Sequence, residues 1–315
     1  MLLTVVLNFI NINHSFAQDT YKNQFLETVE NDQYVNAAHD RYYTEGTLLT
    51  FSHLLNPAKK ADSKLVKKIL EFQSGQQIYT PYKADVPDPT KQDRPFTGYL
   101  YLGAGLNWLY SDESQLHFNV QIGTIGPNSQ AERIQTDFHD SFGLYKPQGW
   151  QYQLNNEAGL NLDLNYKKLL FRTPDNWFDL TANPDAWLGN TFTGASAGLI
   201  FRLGQLGKLY QSAITNSRVG SNDEHQKHEF YFFTEPQIDY VAYNATIEGG
   251  LFIKDKGPVT FGIYHYVYVQ QFGAQFVSAR WSLNYSVFIK SREVKSTALG
   301  DQYGSINIAY RFGKI

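Results

Sequence analysis

The sequence predicts an all-β protein, a twelve-stranded antiparallel up-and-down transmembrane β-barrel with a short helix in an extracellular loop. Three observations predict it. Apolar and polar residues alternate from about residue 22 to the end. An apolar run at the N-terminus is too short to span a bilayer. Long polar connections fall on one rim of the implied sheet. Composition agrees: 16% of the 315 residues are aromatic and only 18% are charged, against roughly 25% charged in soluble proteins. Such a mixture suits strands and amphipathic interfaces. A net charge of -3 gives no electrostatic case for nucleic-acid binding. The absence of cysteine excludes disulfides, zinc–thiolate sites and thiol nucleophiles together.

The apolar run, Leu2 to Ile10, has the length of a signal-peptide core, far short of the ~20 residues of a spanning helix. Ser15-Phe16-Ala17 permits cleavage before Gln18, so residues 1–17 read as a cleaved export signal and 18–315 as one outer-membrane barrel domain. Only Met1 precedes the run, without the usual positive residues. No later stretch reaches 18 apolar residues, so a membrane-embedded chain must cross as a closed barrel.

Leu116-His117-Phe118-Asn119-Val120-Gln121-Ile122 shows the alternation cleanly, and Leu160 to Tyr166 and Ser305 to Phe312 repeat it. Asn, Asp and Gln at every second position need water or polar partners on that face. A sandwich and a transmembrane barrel both supply them, so alternation alone leaves both open. The export signal, the cluster Tyr264, Tyr266 and Tyr268 and the closing Tyr310-Arg311-Phe312 favour the barrel. Strands are expected near 22–33, 45–55, 67–80, 96–110, 115–126, 156–168, 177–189, 191–204, 228–242, 261–275, 278–292 and 302–313. Polar connections 33–44, 81–95 and 127–155 share one rim; 205–227 is long on the side where turns should be short.

One segment reads as helix. Ser129 and Glu132 have capping-box spacing, and Gly143 supplies a left-handed stop. Ile134, Phe138 and Phe142 recur at helical spacing, with His139 beside this apolar stripe, able to face whatever the helix packs against.

Familiar soluble-enzyme signatures are absent: no G-x-S-x-G elbow, P-loop, H-E-x-x-H pair or Rossmann fingerprint. Polar clusters gather instead on the rim with the long connections. They are Asn31-Asp32, Asp40-Arg41-Tyr42-Tyr43-Thr44-Glu45-Gly46, Gln77-Ile78-Tyr79-Thr80-Pro81, Asp93-Arg94-Pro95-Phe96, Ile125-Gly126-Pro127 and the helix with His139. Singly, each is an ordinary turn former or surface pair. Together and in this order they resemble the outer-membrane lipid A 3′-O-deacylases, over about Gln24 to Phe312.

The resemblance implies a twelve-stranded barrel that removes the 3′-linked acyloxyacyl group of lipid A in a calcium-dependent reaction. Carried over, the family's essential histidine falls on His139, its Asn-Asp pair on Asn31 and Asp32, and its active-site threonine on Thr44. Lys83, Lys91 and Arg94 are candidates for binding substrate. Tyr145 stands where some relatives carry an acidic residue. The residue types suit the chemistry. Ester hydrolysis without a Ser or Cys nucleophile needs activated water and a base, and imidazole accepts protons near neutral pH. Asp32 and Asn31 offer the hard oxygens that Ca2+ prefers. The expected partner is lipopolysaccharide in the outer leaflet, and a barrel with no free sheet edge is expected to be monomeric. Two other readings remain at this point, a non-catalytic barrel (channel or lipopolysaccharide-binding pseudo-enzyme) and a secreted β-sandwich or barrel binding module.

Overall fold

The computed structural model describes residues 20–35, 41–55, 64–220 and 228–314. The predicted export signal and Asp40 lie outside these. All twelve expected strands are present: β1 (Tyr21–Asn31), β2 (Tyr42–Leu55), β3 (Leu65–Thr80), β4 (Thr97–Tyr110), β5 (Ser114–Ile125), β6 (Glu157–Arg172), β7 (Phe178–Gly189), β8 (Phe192–Gln205), β9 (Glu229–Asn244), β10 (Tyr266–Val277), β11 (Trp281–Lys290) and β12 (Asp301–Lys314). Each runs antiparallel to both neighbours, and β1 pairs with β12 to close the barrel. Among the described residues no helix is long and apolar enough to cross a membrane.

Alternation sorts the side chains as lipid requires. Phe72, Leu102, Ile122, Leu188 and Phe232 point outward and are each more than half exposed. Gln24, Ser52, Glu71, Asn119 and Arg202 point into the lumen and are buried. The apolar face is therefore the outer one, and the barrel interior is a polar network.

One connection differs from expectation, and a second, expected to be long, takes an unexpected course. The tenth strand begins at Tyr266, not near residue 261. Ile263 instead makes an isolated bridge to Val294 and packs with Tyr42, Ile247 and Ala298. The apolar positions at 261 and 263 thus serve a loop core rather than lipid. The connection from Ala245 to His265 is correspondingly long and opens with one helical turn, Ala245–Glu248. It is pinned at the mouth by the Glu157 carboxylate, which accepts from the backbone N–H of Leu251, Phe252 and Ile253 at 2.9, 2.8 and 3.2 Å.

The long segment after β8 is the second. Instead of a turn below the barrel, residues 206–220 fold up into the lumen through two 3-10 turns, Leu209–Gln211 and Ala213–Thr215. Asn107 Nδ2 and Gln115 Nε2 both donate to the Thr215 carbonyl at 3.0 Å. Lys67 Nζ donates to the Ser217 carbonyl at 2.8 Å, and Asn216 Nδ2 to Glu71 at 2.7 Å. Val219 packs between Ile69 and Leu109. These bonds make the segment a plug at the short-turn end.

Helix α1 (Ala131–Phe142) lies within one residue of its expected start, but the capping box does not form. Gln130, in the left-handed region, is the N-cap without a side-chain bond. Ser129 is occupied otherwise: its Oγ donates to the Gly126 carbonyl at 2.6 Å, closing the tight turn after β5. Gly143 ends the helix as expected, at φ +64°.

The plug's anchor gives the first prediction. Arg202 and Asp179 are fully buried and joined at 2.9 and 2.6 Å, and Arg202 Nη1 also donates to Ser212 of the plug. Asp179→Ala leaves Arg202 charged in a dry site, a loss of roughly 3–5 kcal/mol. A lower urea midpoint for the loss of the heat-modifiable band checks it; an unchanged midpoint rules it out.

Candidate active site

Of the predicted site residues, Asn31, Asp32, Thr44 and His139 lie on the outer face of the wall, not in the lumen. β1 ends at Asn31, whose Oδ1 accepts from Gln33 N–H at 2.8 Å and so caps the 3-10 turn Asp32–Tyr34. That turn lies against β12. Tyr285 OH donates to the Tyr34 carbonyl at 3.2 Å, and a Cβ on Gly304 would stand 2.6 Å from Tyr34 Cβ, so the close approach requires glycine there. Asp32 is buried, and its Oδ2 accepts from Arg41 N–H at 2.6 Å.

The next strand is distorted where it passes this turn. Tyr42 has φ +58°, uncommon for a bulky side chain. Its hydroxyl holds it in place, donating to Asp93 at 3.1 Å and accepting from Leu299 N–H at 2.8 Å. The β2–β3 register then slips between Tyr43 and Glu45, which makes Thr44 the extra residue of a β-bulge. Thr44 is buried, with its Oγ1 2.7 Å from Thr80 Oγ1 on β3. Glu45 stands directly across from Asn31 on one side and Ile78 on the other.

Helix α1 covers the same wall. Ala131 packs with Ile78, Ala84, Phe96 and Trp150, and Trp150 Nε1 donates to Gln135 Oε1 at 2.8 Å. His139 Nδ1 is 2.6 Å from the Tyr145 carbonyl. A carbonyl only accepts, so Nδ1 carries the proton and Nε2 is the basic nitrogen of the neutral ring. The Tyr145 ring stands edge-on to the imidazole at 4.7 Å.

The wall-facing stripe is thus Ala131, Gln135 and His139, all buried, while Ile134 is 40% and Phe142 68% exposed. The expected apolar stripe points away from the barrel. The physical reason is the medium: at a barrel rim the apolar phase lies outside, so the helix turns its polar stripe to the wall.

Lys83 and Lys91 line an open cleft of about 370 Å³ together with Tyr42, Tyr82, Asp93 and Leu299, next to the distorted strand. Arg94 goes elsewhere. It is buried in the mouth, lies over the Tyr79 ring at 4.4 Å and donates to Thr246 Oγ1 at 2.9 Å, tying down the Ala245–His265 connection. Burial lowers its pKa below the ordinary value against the opposing charge of Glu293.

Sequence reasoning did not single out Thr80, Glu45, Gln135 or the Tyr145 carbonyl as site groups. Gln135 carried a signal, one helical turn before His139; a backbone carbonyl carries none. For a cation, the donors Asp32 and Asn31 are hard oxygens in adjacent positions, which fits calcium in chemical kind. They are two side chains, and among the described residues no three acidic or histidine groups converge.

The family model described as outer membrane protein LpxR matches residues 1–312. Among solved structures, LpxR from Salmonella typhimurium is 22% identical, covers 92% of this chain and 100% of its own, and superposes with a TM-score of 0.76, which supports the fold. The translocator domain of the autotransporter NalP from Neisseria meningitidis is 10% identical over 99% of this chain and 94% of its own, at a TM-score of 0.45. A search of curated proteins finds no match.

Helix seating depends on Gly98, where a Cβ would meet Ala131 Cβ at 2.4 Å and Ser129 Oγ at 2.3 Å. Gly98→Val must push α1 off the wall. Faster tryptic cleavage at Arg133 in the otherwise heat-modifiable barrel is expected; unchanged cleavage contradicts the packing.

Proposed function

The chain belongs to the LpxR family of outer membrane proteins, and from this premise we propose that it is a lipid A 3′-O-deacylase. One observation carries the reading. A histidine oriented by a backbone carbonyl is held under a helix on the lipid side of the wall, on the surface that also carries Thr44, Asn31 and Asp32. A site there meets lipid laterally. A soluble esterase would first have to extract the chains, at about 0.8 kcal/mol per methylene. The plug of residues 206–220 opposes the alternative of a passive channel.

In the proposed reaction His139 Nε2 takes a proton from a water while the Tyr145 carbonyl holds Nδ1–H and supports the imidazolium that forms. The water oxygen adds to the ester carbonyl carbon. Collapse breaks the bond to the 3′ oxygen, which leaves with the proton, giving a free hydroxyl and the acyloxyacyl carboxylic acid. Thr44, fixed by Thr80, orients the water or the ester. Asp32 and Asn31 would hold the calcium ion, which when bound supplies positive charge beside the ester carbonyl. Lys83 and Lys91 would face the phosphates of the headgroup.

The Tyr145 departure from an acidic residue is harmless in this scheme, because the main chain does the orienting. Mass spectrometry of lipid A treated with the purified protein reads the outcome. His139→Ala is expected to lower the rate by about 10²–10⁴-fold and Asp32→Ala to abolish it, both with a heat-modifiable barrel. Full activity in His139→Ala removes the base from the scheme. Tyr145→Ala, which keeps the carbonyl, is expected to lose far less than His139→Ala. Chelation is expected to stop the reaction and added Ca2+ to restore it; chelator-resistant deacylation discards the metal.

A further inference from the structure

The lipid-facing band is uneven, and the unevenness lies directly below the candidate site. On β1 the even positions face the lumen: Gln24 accepts from Arg311, Thr28 bonds Asn307, and Glu30 accepts from Tyr43. Odd positions therefore face lipid, which puts Glu27 on the outer surface, where it is exposed. Register places Val29 beside Thr47 and Thr47 beside Gln76, and one step lower Glu27 beside Leu49 and Leu49 beside Ser74. Farther down, the facing residues are Phe25, Phe51 and Phe72.

Elsewhere the band is apolar to the rims. Among the described strands the other outward-facing lysines and glutamates are Glu45, Lys68 and Lys314, toward strand ends, and Lys168, which pairs with Asp112 in the adjacent turn. The outward Gln270 and Thr234 satisfy each other at 2.7 Å. By contrast, among the described residues Glu27, Thr47 and Ser74 make no side-chain hydrogen bond, and Gln76 reaches up to the Ser129 carbonyl at the start of α1. An ionised carboxylate in hydrocarbon is costly, and lipid relieves that cost by thinning locally and admitting water. Glu27 is four residues below Asn31, about 14 Å along a strand and roughly 10 Å of depth at the usual barrel tilt.

We propose that Glu27, Thr47, Ser74 and Gln76 form a polar notch in the lipid-facing band that draws the outer leaflet down at β1–β3. The polar zone of the outer leaflet, headgroup and ester linkages together, thereby extends down the wall from the level of Thr44 and His139 to Glu27. The purpose rests on the deacylase reading; the notch itself does not. Its occupant is the polar linkage zone of the outer-leaflet lipid, which can hydrogen-bond the groups that hydrocarbon cannot.

The chain has no cysteine, so a single nitroxide reports cleanly. Leu49→Cys, between Glu27 and Ser74, and Ile122→Cys on β5 are labelled in liposomes, in the parent and in Glu27→Leu/Thr47→Leu/Ser74→Leu. Collision with oxygen and with a nickel chelate gives depth. The notch predicts that the Leu49 label becomes more oxygen-accessible and less nickel-accessible in the triple variant, while the Ile122 label stays put. Equal depth in both backgrounds overturns it. So does a Leu49 label shielded from both reagents, which means a protein partner covers the face. Deacylation by the triple variant is expected to fall at least ten-fold in liposomes and to remain within two-fold in mixed detergent micelles. Equal loss in both media overturns the proposed purpose. A parent inactive in both media overturns the deacylase reading instead, and the depth measurement still decides the notch. Glu27→Leu alone, expected to give part of the depth shift, serves if the triple variant fails to fold.

Discussion

Lipid cannot satisfy a peptide group, and the pairing of β1 with β12 is the answer on which everything else in the molecule rests. Once the sheet closes, every strand has two neighbours and the side chains divide into an apolar outside and a polar inside. Inside, polar side chains bond one another in networks such as Arg202–Asp179–Ser212 and Asn216–Glu71–Ser52. On the outside, buried polar side chains such as His139, Thr44 and Asp32 occur where something covers them. Helix α1, the Asp32–Tyr34 turn and the distorted start of β2 provide that cover, each at the rim and each outside the regular ladder.

The inverted helix follows from the same constraint. In a water-soluble protein Ile134 and Phe142 would face the core and His139 would face solvent. Here His139 and Gln135 are the buried pair, held by a carbonyl and an indole N–H. The Tyr145 carbonyl gives the imidazole a fixed tautomer and one orientation. The stripe of Ile134, Phe138 and Phe142 is left on the side away from the wall, beside the exposed Arg133–Asp137 ion pair. One twelve-residue element thus buries a polar pair against the wall while leaving apolar side chains exposed on its other side.

Most of the barrel was legible in the sequence, because period-2 patterning is a local property. Eleven of the twelve strands start within three residues of expectation, and the exception is instructive. Phe261 and Ile263 alternate as strand residues do, yet their partners are Tyr42, Ile247 and Val294. Such packing depends on residues far away in sequence. For the site, the family resemblance pointed to Asn31, Asp32, Thr44 and His139, and all four lie on the outer rim. Their supports were hidden for specific reasons. The Tyr145 contribution is a main-chain atom, Thr44 stands where it does because of a register slip, and Ser129 chose the Gly126 carbonyl over the helix it precedes. Arg94 reads like a rim cation in sequence, but Tyr79 and Thr246 draw it inward.

The plug also bears on how such a protein can evolve. Membrane barrels grow and shrink by whole hairpins, and each added pair widens the circle. Here Asn216 alone reaches Gln24 on β1, Ser52 on β2 and Glu71 on β3, while Thr215 is held from β4 and β5. A wider cylinder would pull these strands beyond the reach of one short segment and strand a set of dry polar groups. The segment is therefore a gauge matched to a circumference of twelve strands. Hairpin duplication, the ordinary route to larger barrels, would cost this chain bonds of the plug.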